Sequence, residues 1–211
     1  MEQAPGQGTI NDNSAADARA APRFTLLLRA AKLLAPQGQF LCVIREVSAT
    51  GVSLRGFHAL PEGEGLQLEL QSGARYALEQ VWNRGTEAGY RFGEAVEVAE
   101  LLAEPSDYPK RPLRLDIGLP LRVELTGQVL EGELVNISQQ GACIECATFL
   151  AIDQPLRLVS RRLPEIHAKV RWRDHHHYGL AFDTTFDLRR LAQVSARVQC
   201  PSLLAVQPDR D

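Results

Sequence analysis

The stretch "LVNISQQGACI" (Leu134–Ile144) decides the fold, because "IREVSATGVSL" (Ile44–Leu54) has the same frame. Each places an acid or amide, a serine two residues on and a glycine three residues after that, ahead of an apolar run. Ser48 and Ser138 stand 90 residues apart, as do Gly51 and Gly141. Further along, "VWNRGTEAGYRF" (Val81–Phe92) matches "RWRDHHHYGLAF" (Arg171–Phe182), pairing Trp82 with Trp172, Gly89 with Gly179 and Phe92 with Phe182 at the same interval of 90. The chain's two tryptophans occupy equivalent places, and five positions at one offset mark two copies of one unit.

Within each copy the apolar residues come in short, roughly alternating runs. The first has "FLCVIREV", "GVSLRGF", "LQLEL" and "RYALEQVW"; the second has "LRVEL", "GELVNI", "LRLVS", "AKVRW" and "YGLAF". Glycine, proline or polar clusters separate them, which is the signature of an all-β barrel or sandwich. Two amphipathic helices are expected in addition. "GEAVEVAELLAEP" closes the first copy and "DTTFDLRRLAQVSARV" the second, the latter with Thr184 or Thr185 as cap and Phe186, Leu191, Val194 and Val198 at helical intervals. The boundary falls in "AEPSDYPKRP". The resulting division is a disordered tail over 1–18, a first domain over 19–104, a second over 108–200 and a similar tail over 201–211.

Of the 211 residues, 45 % are hydrophobic and 23 % charged, and the formal net charge is −3. No global positive field is available to hold nucleic acid or an anionic membrane, so any anion site must be local. No run approaches the roughly 18 apolar residues of a membrane span, and the N-terminal stretch lacks a basic segment followed by an apolar core. A cytoplasmic location without membrane insertion is expected, and the sequon at Asn136 carries no meaning there.

Four cysteines, Cys42, Cys143, Cys146 and Cys200, are too few and scattered for a disulfide framework. Cys143 and Cys146 form a C-x-x-C, yet in a strand they point to opposite faces and read as packing residues. "DHHHY" (Asp174–Tyr178) occupies a variable turn, with no cysteine or acidic partner at ligand spacing, so no metal is expected. The tryptophans read as core residues of the barrels. No nucleophile–base motif, P-loop or dinucleotide fingerprint appears, which argues against an enzyme.

Upstream of each serine–glycine turn lies a basic segment at a proline: "RAAPRF" (Arg19–Phe24) and "KRPLRL" (Lys110–Leu115). A second R-x-x-x-R pair, Arg157 and Arg161, sits elsewhere in its repeat, so only the coupling of the basic segment to the downstream turn and tryptophan has weight. That ordered set resembles the PilZ family of cyclic di-GMP receptors: R-x-x-x-R, then [D/N]-x-S-x-x-G, then a late V-x-W…G-L-x-F strand. The likeness covers about residues 19–102 and 108–200. It implies two tandem six-stranded β-barrels, each followed by a C-terminal helix, with cyclic di-GMP as ligand and no cofactor.

The chemistry suits those residue types. An arginine fork meets the O6/N7 edge of guanine or two oxygens of a phosphate, and stacks on a purine face. A short acceptor receives guanine N–H groups, a serine hydroxyl bonds phosphate or its own turn, and glycine permits close backbone approach. Carried over by position, the first site is Arg19, Arg23, Glu46, Ser48 and Gly51. The second is Lys110, Arg114, Asn136, Ser138 and Gly141, with Arg111 as a compensating neighbour. Each copy departs once from the pattern: Glu46 is one methylene longer than the family's Asp or Asn, and Lys110 cannot form a fork. Loss of the fork is the greater cost, which ranks the first copy as the stronger binder.

The expected function is therefore a receptor and adaptor that passes the signal to a downstream protein target by rearranging its two domains. The alternative is a degenerate scaffold that binds protein partners without nucleotide. A nucleic-acid-binding barrel ranks last, because only 6 % of residues are aromatic and the charge is negative.

Overall fold

The computed structural model describes residues 24–102 and 112–205. Two closed antiparallel barrels of six strands follow one another. The first is built from β1 (Phe24–Ala35), β2 (Gly38–Val47), β3 (Gly51–Gly56), β4 (Leu66–Glu69), β5 (Arg75–Arg84) and β6 (Glu87–Phe92), in the order β1-β2-β3-β6-β5-β4. A short helix, α1 (Val98–Leu102), closes it. The second uses β7 (Leu115–Leu125), β8 (Gln128–Ile137), β9 (Gly141–Glu145), β10 (Pro155–Val159), β11 (Ile166–Asp174) and β12 (His177–Phe182), and its order is that of the first, element for element. Closure removes the exposed sheet edges that short strands would otherwise leave.

Alternation fills each interior. Along β7, Leu115, Ile117, Leu119, Leu121 and Val123 are buried, with exposed residues between them. In the first barrel Ala31, Leu33, Cys42, Ile44, Leu54, Leu68 and Ala88 make the equivalent core. Cys146 lies in the core of the second barrel, whereas Cys143, also buried, stands outside that core, so the C-x-x-C is split between two faces.

The second barrel ends in α2 (Leu188–Gln199). Its cap is Asp187, whose Oδ1 accepts the Arg190 N–H at 2.7 Å, in place of the expected Thr184 or Thr185. A carboxylate directly before the first turn reaches that orphan donor, which the two threonines upstream are too early to do. Phe186 and Leu191, both buried, take the positions of a hydrophobic staple. After α2 the chain makes a 3-10 turn over Pro201–Leu204, whose Leu203 carbonyl accepts the Ala59 N–H at 3.1 Å. The expectation of a structureless tail from residue 201 is thus corrected at its start: contact with the first barrel orders it. The expected tail over 1–18 lies outside the described residues.

The helix α2 packs against both barrels. In β2 the run Phe40–Ile44 is buried throughout, because Cys42 and Ile44 face their own barrel while Leu41 joins the core of the second. At the seam Gln39 bonds in two directions. Its side chain donates to Asp116 Oδ2 at 2.9 Å and accepts from the Asp116 N–H at 3.0 Å. Its backbone N–H donates to Gln199 Oε1 at 2.8 Å, and its carbonyl accepts from Gln199 Nε2 at 2.8 Å.

Candidate functional site

The site begins with departures from ideal strand geometry. Strict alternation from Leu134 would turn Asn136 inward, but a register shift between Leu134 and Asn136 places it on the outer face. The same shift between Ile44 and Glu46 exposes Glu46. Two more shifts, Gln80/Trp82 and Val170/Trp172, turn both tryptophans outward. An extra residue in one strand reverses the facing of all that follows it, and such bulges recur beside binding sites. The expectation that Trp82 and Trp172 are core residues is corrected accordingly: they are 39 % and 44 % exposed.

These bulges assemble a row across four strands. In the second barrel it runs from Asn136 on β8 to Cys143 on β9, Gly179 on β12 and Trp172 on β11, each paired with the next. In the first barrel it is Glu46, Ser53, Gly89 and Trp82. At about 4.8 Å per strand, three steps span about 14 Å. The glycines make the floor. A Cβ on Gly89 or Gly179 would collide with the indole of Trp82 or Trp172, which covers the bare backbone.

The turn at the end of the row is the repeated motif itself. Ser138 donates to the Gly141 carbonyl twice, from its N–H at 2.8 Å and from Oγ at 3.0 Å; Ser48 does the same to Gly51 at 2.8 and 3.4 Å. The buried serine hydroxyls therefore donate to their own turns. Gly141 and Gly51 lie against neighbouring backbone: a Cβ on Gly51 would stand 2.8 Å from the Tyr90 carbonyl, and one on Gly141 would overlap that of Leu180.

At the head of the second row, Arg114 Nη1 donates to Asn136 Oδ1 at 3.0 Å. Burial pushes the Cys143 thiol up, and the Arg114 guanidinium pulls it part of the way back. The structure thus brings together Arg114, Asn136, Ser138 and Gly141 in the second copy, and Glu46, Ser48 and Gly51 in the first. There they line a cleft of about 230 Å³ with Trp82 and Arg91. Arg19, Arg23, Lys110 and Arg111 lie outside the described residues.

The strand register also aligns the basic segments. The shift in β1 fits four steps, Thr25 to Arg29, against two in β2; that in β7 fits three, Asp116 to Leu119, against two in β8. Ahead of the bulges, equivalence is displaced by one residue: Phe24 pairs with Val47 as Leu115 pairs with Ile137. Arg23 and Arg114, each one residue before its strand, are therefore counterparts. Sequence reasoning missed Cys143, Ser53 and the outward tryptophans, whose facing is set by the bulges.

The fold is that of a tandem β-barrel protein, with a row of outward-facing positions across four strands of each barrel. Residues 109–198, which span the second barrel and most of α2, match the sequence model of the PilZ domain. No curated protein matches the chain. Among solved structures it is similar to PlzA of Borreliella burgdorferi in complex with c-di-GMP, at 11 % identity and a TM-score of 0.35 over 84 % of this chain and 93 % of that one. It is also similar to the inhibitor of motility MotI/DgrA of Bacillus subtilis (12 %, 0.34, covering 84 % and 98 %) and to YcgR of Escherichia coli in complex with c-di-GMP (14 %, 0.30, covering 79 % and 81 %). Among the described residues no helix is long and apolar enough to cross a membrane, and no group of three or more His, Cys, Asp or Glu residues is placed to hold a metal ion.

Proposed function

We propose that this chain is a cytoplasmic, non-catalytic receptor for cyclic di-GMP, with the ligand lying across the outer row of the second barrel. The observation that carries this reading is the Arg114–Asn136 hydrogen bond, which holds a guanidinium fork and an amide acceptor at one end of a glycine-floored row ending in Trp172. Arg114 forks onto a guanine edge or a phosphate, Asn136 accepts a guanine N–H, and Trp172 stacks on a base. Lys110 and Arg111 supply phosphate contacts from the preceding segment. The first copy, with Arg19, Arg23, Glu46, Ser48 and Gly51, is the second candidate. The match of residues 109–198 to the PilZ model supports placing the second copy ahead of it, which reverses the order given by the arginine fork alone.

Signal transmission follows from what holds the Arg114 segment. Lys32 of the first barrel donates to the Arg114 carbonyl at 3.1 Å and is ion-paired with Glu69, and Gln39 holds Asp116. A ligand that binds Arg114 acts on contacts with the first domain and resets the arrangement of domains 19–104 and 108–200 for a downstream protein target.

Intrinsic fluorescence tests the assignment, because the only two tryptophans end the two rows. Titration with cyclic di-GMP is expected to change the emission of the Trp82→Phe variant saturably and to change that of Trp172→Phe far less. Equal, non-saturating changes in both contradict it.

A further inference from the structure

On the seam between the barrels, beside the first row, lies a cleft of about 310 Å³ lined by Val43, Arg55, Phe57, Thr86, Leu188 and Arg189. Its cations come from different domains: Arg55 from β3 of the first barrel and Arg189 from the first turn of α2. Arg189 stands with its guanidinium 5.8 Å from the centroid of Phe57, whose ring packs against the core of the second barrel. The acid paired with Arg55 is Glu87, at 3.8 Å and with both side chains about half exposed, a contact weak enough for an anion to displace. Val43 and Leu188 add apolar wall, and Thr86 adds a hydroxyl.

We propose that this cleft is a second anion site, which takes an aromatic phosphate of mononucleotide size. Two guanidiniums of opposite domains converge on the phosphate by charge-assisted bonds, and the planar group lies against Phe57 and its apolar neighbours. The volume stands at the lower end of the roughly 300–1,000 Å³ of small-molecule pockets, which matches one base with its phosphate. Because its two arginines belong to different domains, occupancy strengthens the seating of α2 on the first barrel, and that seating strengthens binding in return. This site goes beyond the cyclic di-GMP reading and does not depend on it.

Ser53 of the first row and Arg55 of the cleft are two residues apart on β3, about 7 Å, so the test must separate the two places. The intact chain is titrated calorimetrically with GMP, with guanosine and inorganic phosphate as separate arms. GMP is expected to saturate one site, and Arg55→Gln and Arg189→Gln, both exposed positions, to weaken it about tenfold each. Because the two arginines belong to different domains, weakening in both variants is expected only for a ligand held between them. The proposal is overturned if GMP does not saturate, or if either glutamine variant binds it as well as the parent. Phosphate alone binding as tightly as GMP overturns the aromatic half of the assignment.

Discussion

At the scale of single residues, two positions carry more than their size suggests. Gly141 has no room for a methyl group, because the backbone carbonyl of Leu180 occupies that space. A backbone atom cannot rotate away as a side chain can, so Gly141→Ala is expected to lower stability by about 1–3 kcal/mol, read as a shift in the urea midpoint. The same change at Gly179 meets only the half-exposed indole of Trp172, so it should cost less. His58 is buried, its Nδ1–H donating to the Ala59 carbonyl at 2.6 Å and its Nε2 without a partner. Burial holds its pKa below the ordinary 6.5, and the Ala59 carbonyl partly opposes this. Such a histidine binds fewer protons folded than unfolded. Its stability contribution is therefore complete above the ordinary value and is lost as pH falls through it towards the folded value. Melting temperatures of His58→Asn are expected to fall less steeply than the parent's between about pH 7 and pH 5; parallel slopes contradict this.

At the scale of elements, the hairpin β11–β12 turns through His175 and His176, with His175 at φ +52° where the first copy has Gly85 at +58°. A left-handed residue with a side chain costs about 1–2 kcal/mol, and glycine gives back part of that in chain entropy. His175→Gly should therefore raise stability by about 0.5 kcal/mol, measured by chemical denaturation. The three histidines serve as turn and strand end. Legibility in the sequence divides at this scale. The repeat, the strands and the serine–glycine turn were readable because each is carried by a residue type at a fixed spacing. The facing of Trp82, Trp172, Glu46 and Asn136 was not, because each follows a bulge that reverses the period of two, and a bulge leaves no residue signature here: the extra residues are Arg45, Val81, Val135 and Arg171. The cap of α2 was less legible because the helical spacing already starts at Phe186, which puts the true cap, Asp187, inside the periodic run and two threonines before it.

At the scale of the whole molecule, the two barrels are joined by polar contacts that converge near the second site. Gln199 makes two hydrogen bonds to the backbone of Gln39, whose side chain holds Asp116 two residues beyond Arg114. Gln199→Ala removes both bonds and is expected to cost about 1–3 kcal/mol, seen as a lower melting temperature of the intact chain. It should also change the affinity for cyclic di-GMP if the seam and the site are coupled, whereas an unchanged affinity would separate them. That Arg114 holds cyclic di-GMP on the second barrel is checked by isothermal titration with cyclic di-GMP of the parent chain, Arg114→Ala and Arg23→Ala. Saturable heat is expected from the parent and its loss in Arg114→Ala, with Arg23→Ala lowering the stoichiometry if the first row also binds. Binding of the parent unaltered by either substitution, or no binding by a chain with its melting transition intact, would contradict it.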